Sequence, residues 1–202
     1  MKLYYSPGAC SLAPHIVLRE GGFTFDLEKV DLGKKQTASG EDYTKINPKG
    51  YVPALKLDDG QILTEAAVIV QYLADQKPQA GLAPQLGSME RYRLMEWLNF
   101  ISTEIHKQFS PLWKPTTPEQ TKQFQIELLG KRFDFLTAQL ERTPYLTGDK
   151  FSVADAYLFT ILSWSKLLKV DLGKWPKLGK EYLGRIADRS KVREALKAEG
   201  LG

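Results

Sequence analysis

The chain holds one cysteine, Cys10, and two histidines, His15 and His106, so thiol or imidazole chemistry has few possible owners. Cys10 follows an extended apolar stretch, Lys2 to Tyr5, and a turn at Ser6 to Ala9, and it precedes a helical segment running from about Ser11 to Glu20. A thiol at a helix start lies at the positive end of the helix dipole, which favours the nucleophilic thiolate. No second cysteine stands at CxxC spacing, because Leu12 and Ala13 follow Ser11. Dithiol redox cycling is thereby excluded, and any disulfide step needs an external thiol. A lone cysteine also forms no internal disulfide, which points to a reducing compartment, and the Cys and His content is too small for a metal cage.

Three further groups could work with that thiol. In NPKGYVP, Asn47 to Pro53, Val52 is held extended before a proline at a strand entry, where a cis bond is plausible and backbone groups can face a ligand. Glu65 and Ala66 open a later helix, so free N–H groups can attract a carboxylate while Glu65 receives an ammonium, a pattern that suits the end of an amino acid. In the second half, Thr103 lies about 40° and His106 about 20° from Asn99 on a regular helix, so the three share one face, with His106 a candidate base or orienting donor. His15, beside Ile16, reads as structural. Phe109, Trp113 and Trp164 can form a flat apolar pocket.

These residues need two kinds of scaffold. The first eighty residues alternate strand and helix signals: Lys2 to Tyr5, then Ser11 to Glu20, then Phe25 to Leu32, giving a βαβ unit. A hairpin follows, Ala54 to Leu57 and Gln61 to Leu63 around Asp58, Asp59 and Gly60, and then a helix from Glu65 to about Asp75 with Thr64 as its cap. This order predicts a thioredoxin-like α/β domain over residues 1–80. Residues 81–87 read as a linker, with Gly81, Pro84 and Gly87 interrupting regular structure. Residues 88–202 read as all-α: helices over Met89 to Phe109, Gln120 to Leu140, a central apolar one behind Ser152 and Asp155 as a capping box, and shorter ones over Trp175 to Asp188 and Lys191 to Glu199.

The bulk properties agree with a packed protein: 202 residues, 43% hydrophobic and a formal charge of +4 with both signs interleaved. No concentrated basic stripe marks a nucleic-acid reader. The most apolar stretch, Ala154 to Trp164, falls short of the ~20 residues that span a bilayer, and Leu3 to Tyr5 is too short for a signal-peptide core. The expectation is a cytoplasmic protein with no membrane or nucleic-acid partner.

Five motifs in order, GACS around Cys10, NPKGYVP, LTEAAVIVQYLAD, the stripe Asn99 to His106, and SVADAYLF from Ser152, resemble the beta-class glutathione S-transferases over almost the whole chain. The resemblance implies a transferase that binds glutathione as co-substrate between the two domains, needs no metal and forms a homodimer. It implies that Cys10 approaches the glutathione sulfur and that Val52 pairs with the cysteinyl unit. Glu65 and Ala66 would hold the γ-glutamyl end, Lys35 the glycyl carboxylate, and Asn99, Thr103, Glu104, Ile105 and His106 would approach from the helical domain. Cys10 and His106 become the catalytic candidates, acting on small hydrophobic electrophiles, mixed disulfides or peroxides, as in detoxification. Ala66 departs from the serine many transferases carry, losing one hydroxyl contact. A noncatalytic carrier of hydrophobic ligands and a glutathione-dependent reductive dehalogenase or dehydroascorbate-type reductase remain alternatives on the same fold.

Overall fold

The computed structural model describes residues 1–201. Its first element is β1 (Lys2–Tyr5), followed by α1 (Leu12–Glu20), β2 (Asp26–Asp31), β3 (Gln36–Thr37), β4 (Ala54–Lys56), β5 (Ile62–Thr64) and α2 (Ala66–Gln76). The strands form one sheet in the order β3-β2-β1-β4-β5. β1 pairs with β2 in parallel, Leu3 opposite Leu27, and with β4 antiparallel, Leu3 opposite Leu55, while β4 and β5 close the hairpin. Leu3 and Tyr4 are both buried although successive strand side chains point to opposite faces, as befits a central strand covered on both sides. Tyr4 joins Val30, Tyr43, Val52 and Ala54 in one core cluster. β3, two residues long, carries too little periodicity to be read in the sequence; it is held by pairing to the end of β2.

Two local expectations change. Glu65, not Thr64, is the residue before α2, with a positive φ of 71° that non-glycine residues rarely adopt. At α1, the N–H groups of Leu12 and Ala13 already donate to the carbonyls of Ala9 and Cys10, so the helix start is partly satisfied by its own turn rather than open. Ser11 braces that turn, accepting from the Ser6 N–H and donating to the Ser6 carbonyl.

The helical elements are α3 (Met89–Phe100), a π-helical stretch (Ile101–His106), α4 (Lys107–Phe109), a 3-10 turn (Ser110–Trp113), α5 (Glu119–Arg142), α6 (Val153–Leu167), a second π-helical stretch (Lys177–Tyr182), α7 (Leu183–Ala187) and α8 (Ser190–Ala198). Leu94, Leu98, Ile101, Ile105 and Phe109 bury one stripe, and Leu129, Phe133, Leu136 and Leu140 bury that of α5. α6 is buried almost all round, as its apolar sequence predicts, and begins at the expected capping box of Ser152 and Asp155. No helix among the described residues is long and apolar enough to cross a membrane.

The chain divides into two compact units, one of Met1–Ala83 with the residues from Arg189 onward, the other Pro84–Asp188. The break between Ala83 and Pro84 falls inside the expected linker. The far boundary differs: α8 belongs with the sheet, not with the helices, because it packs on α1. A buried chain of polar groups explains why. Arg19 Nε donates to His15 Nε2 at 2.9 Å, so the imidazole proton is on Nδ1, which donates to Glu199 Oε1 at 2.7 Å. Glu199 Oε2 accepts from the Gly8 N–H at 2.9 Å. Arg189 adds two bonds to Glu20 at the end of α1. Such partners are far apart in sequence, and nothing local announces them. Glu199→Ala strips the acceptor from the buried His15 ring and the part-buried Gly8 N–H and is expected to cost about 2–4 kcal/mol of stability, read as a lower urea midpoint with unchanged slope. A loss below about 0.5 kcal/mol would refute this account of α8.

Candidate functional site

In the sheet-containing unit, the predicted residues converge on one loop, Asn47 to Pro53. Cys10, half-buried, donates its thiol to the Val52 carbonyl at 3.2 Å. Lys35, itself at a positive φ of 54°, donates its ammonium to the Gly50 carbonyl at 2.7 Å. Glu65 Oε1 accepts from Lys49 Nζ and from the Tyr51 hydroxyl. The loop is braced from beneath: Asn47 Nδ2 donates to the Tyr51 carbonyl at 2.7 Å, and the Tyr43 hydroxyl donates to the same oxygen at 3.1 Å. Burial pushes the Tyr43 hydroxyl up to about 12, so it stays a donor at any physiological pH. Gly50 adopts the positive φ of 68° that the reversal needs, and the Val52–Pro53 bond is cis, as the strand-entry proline suggested.

This loop presents a row of complementary groups: a thiol, the backbone of Val52, a lysine ammonium and a carboxylate. The N–H groups of Ala66 and Ala67 open α2 beside Glu65, at the end of a helix where a ligand carboxylate is favoured. Beside the expected Cys10, Lys35, Val52, Glu65 and Ala66, the structure places Lys49 and Tyr51, which the sequence analysis did not single out.

The helical unit treats its predicted residues differently. Asn99 and Thr103 are exposed, and the Thr103 hydroxyl donates to the Asn99 carbonyl at 3.0 Å. His106 does not follow them as regular helical spacing requires, because Ile101–His106 winds with the wider π-helical turn. Its Nδ1 shares a 2.7 Å hydrogen bond with the Tyr157 hydroxyl of α6, and its ring packs edge-on to Trp164 with centroids 5.0 Å apart. Tyr157 was hidden in the sequence inside an apolar run. Glu104 accepts from Arg132 Nε and Nη2 of α5. Ile105 is fully buried, so only its backbone can meet a ligand.

The three residues of the expected apolar pocket differ in burial. Phe109 is fully buried and Trp164 nearly so, making them core, whereas Trp113 is 46% exposed and packs edge-on to Trp164. A cavity of about 970 Å³ in this unit is lined instead by Trp97, Phe100, Phe135 and the Glu104–Arg132 pair, and it contains none of the three. Among the described residues no cluster of three or more His, Cys, Asp or Glu is placed to hold a metal.

A five-stranded thioredoxin-like unit joined to an all-helical unit is the two-part architecture of the glutathione-binding transferases. Comparison with known proteins agrees. Residues 8–76 match the glutathione S-transferase N-terminal domain and residues 100–189 the C-terminal domain. The chain is 48% identical to glutathione S-transferase GstA of Escherichia coli O157:H7, with all of both chains covered. Two solved structures superpose with a TM-score of 0.96 at 48% identity, each covering all of both chains: a sphingomonad glutathione S-transferase complexed with glutathione, and a bacterial beta-class enzyme of Sphingomonas chungbukensis. The chain belongs to the glutathione S-transferase family. It is a glutathione transferase, with glutathione as its co-substrate.

Proposed function

We propose that Cys10 is the working thiol of this transferase and that the loop Asn47 to Pro53 is its glutathione cradle. The observation that carries this reading is the convergence of Cys10, Lys35, Val52 and Glu65 on that one loop. Val52 pairs with the cysteinyl backbone of glutathione, Lys35 takes the glycyl carboxylate, and Glu65 with the Ala66 N–H takes the γ-glutamyl end. When the ligand's peptide engages Val52, it competes for the carbonyl that now accepts the Cys10 thiol, and so brings the two sulfurs into one neighbourhood. In conjugation, the glutathione thiolate attacks an electrophilic carbon, the new C–S bond forms and the leaving group departs as an anion. With oxidised glutathione, the Cys10 thiolate attacks one sulfur, the S–S bond breaks, and one glutathione thiolate leaves while the other stays in a mixed disulfide.

His106 serves as the second catalytic group, its ring oriented by Tyr157, and Asn99, Thr103, Glu104 and the Ile105 backbone are further glutathione contacts. Trp113, exposed and packed edge-on to Trp164, belongs to the acceptor site for a small hydrophobic electrophile. The enzyme works as a homodimer in the cytoplasm, the reducing setting that keeps Cys10 a thiol. Titration with glutathione, together with initial rates on an aryl chloride, tests the cradle. Glu65→Gln removes the carboxylate that faces the ligand ammonium and is expected to raise KM for glutathione on the order of tenfold or more. An unchanged KM would remove Glu65 from the site, and a parent protein that does not bind glutathione would remove the cradle altogether.

A further inference from the structure

The loop holds Glu65 by two side chains that the ligand contacts above do not use. Lys49 Nζ stands 2.5 Å from Glu65 Oε1 and 3.1 Å from Thr64 Oγ1. The Tyr51 hydroxyl reaches the same Oε1 at 3.2 Å, and Lys49 Nζ sits 5.9 Å from the centroid of the Tyr51 ring. Both bonds therefore land on one carboxylate oxygen, from one side. Glu65 needs such support. Its side chain is half-exposed, its backbone φ is 71°, and its side chain does not cap α2. An unrestrained glutamate loses its rotamer freedom when a ligand binds, and that loss subtracts from affinity.

We propose that Lys49 and Tyr51 are positioning residues for glutathione, which hold the Glu65 carboxylate in the orientation that receives the α-ammonium of the γ-glutamyl unit. The proposal rests on the assignment of Glu65 to that end of the ligand. The hydrogen bond to Glu65 holds the Lys49 ammonium above its ordinary range, so the clamp stays charged at neutral pH. A neutral pair also suits the ligand: the amino-acid head carries one charge of each sign, and it meets an acid and a base already balanced against each other. Because the clamp and Val52 belong to the same loop, recognition of the γ-glutamyl end and of the cysteinyl backbone are mechanically one event.

The test uses the full-length protein with Lys49→Met, Tyr51→Phe and Lys49→Arg, and two ligands: glutathione and its analogue with hydrogen in place of the α-ammonium. Lys49→Met and Tyr51→Phe are expected to raise KM and Kd for glutathione roughly threefold to tenfold, the scale of a weakened charge-assisted contact, with the change falling on KM rather than kcat. Lys49→Arg restores most of the affinity, since a guanidinium can still reach the carboxylate. The analogue, which has no ammonium to place, binds parent and variants within about twofold. Thermal midpoints confirm that each variant is folded. The proposal is overturned if the variants bind glutathione as the parent does, if arginine fails to restore affinity, or if the analogue loses as much as glutathione, which would mark a loop that has merely loosened. If Glu65→Gln alone leaves glutathione binding intact, the fault lies in the assignment of Glu65 rather than in the clamp.

Discussion

Cys10→Ala is expected to abolish the glutathione adduct that the parent protein acquires when incubated with oxidised glutathione, as read by intact-protein mass spectrometry. The chain has no other cysteine, so no second residue can accept the glutathionyl group. The parent should gain one glutathione per chain and release it on reduction. The rate of adduct formation should rise with pH, because the thiolate is the attacking species. The alanine variant should also lose thiol-disulfide exchange with glutathione entirely, whereas conjugation to an aryl chloride, driven by the glutathione thiolate itself, measures how far Cys10 assists that reaction. An adduct on the alanine variant, or none on the parent, would remove the mixed-disulfide route.

The second large effect is on stability. Asp155 is fully buried, and its carboxylate accepts from the Leu146 N–H at 2.9 Å, the Ser152 N–H at 2.9 Å, the Ser152 hydroxyl at 2.8 Å and the Tyr182 hydroxyl at 2.9 Å. Burial pushes its pKa up, and the four donors pull it down. Asp155→Ala leaves buried donors on three separate segments without an acceptor, and it is expected to cost roughly 3–5 kcal/mol. That is a large share of the 5–15 kcal/mol of a typical folded protein, about enough to shift the population visibly toward unfolded chains at physiological temperature. Asp155→Asn keeps the volume but offers a single acceptor oxygen, and should fall between parent and alanine. Chemical denaturation of the three proteins checks the order; a loss under about 1 kcal/mol for the alanine variant would show that water replaces the carboxylate.

What the sequence revealed follows the range of the interactions that fix each feature. β1 was found at its observed bounds, and the hairpin and the capping box at Ser152 were found to within a residue or two, because turn glycines, prolines and caps act over a few residues. The positions of Cys10, Val52 and Glu65 at a helix start, a strand entry and a strand end were legible for the same reason, since the signals that place them are local. Three features were not. Glu65 takes a backbone conformation that its own side chain disfavours and that its neighbours impose. The π-helical winding of Ile101–His106 turns His106 toward Tyr157 and Trp164 and separates it from Thr103, although the residues themselves carry no mark of a wider turn. The membership of α8 depends on Glu199 meeting His15 and Gly8, across more than 180 residues of chain, which no window of sequence contains.

That last contact sets an order on biosynthesis. As the chain leaves the ribosome, residues 1–83 emerge with every strand of the sheet but without the helix that covers α1 and neutralises the His15 and Gly8 donors. The whole of 84–188 follows and can fold as a unit before α8 appears. The N-terminal half therefore waits, with part of its apolar surface uncovered, while the later half completes. The sheet-containing unit is therefore completed only after the segment from Arg189 onward has emerged, so nascent chains stalled before Arg189 should engage chaperones.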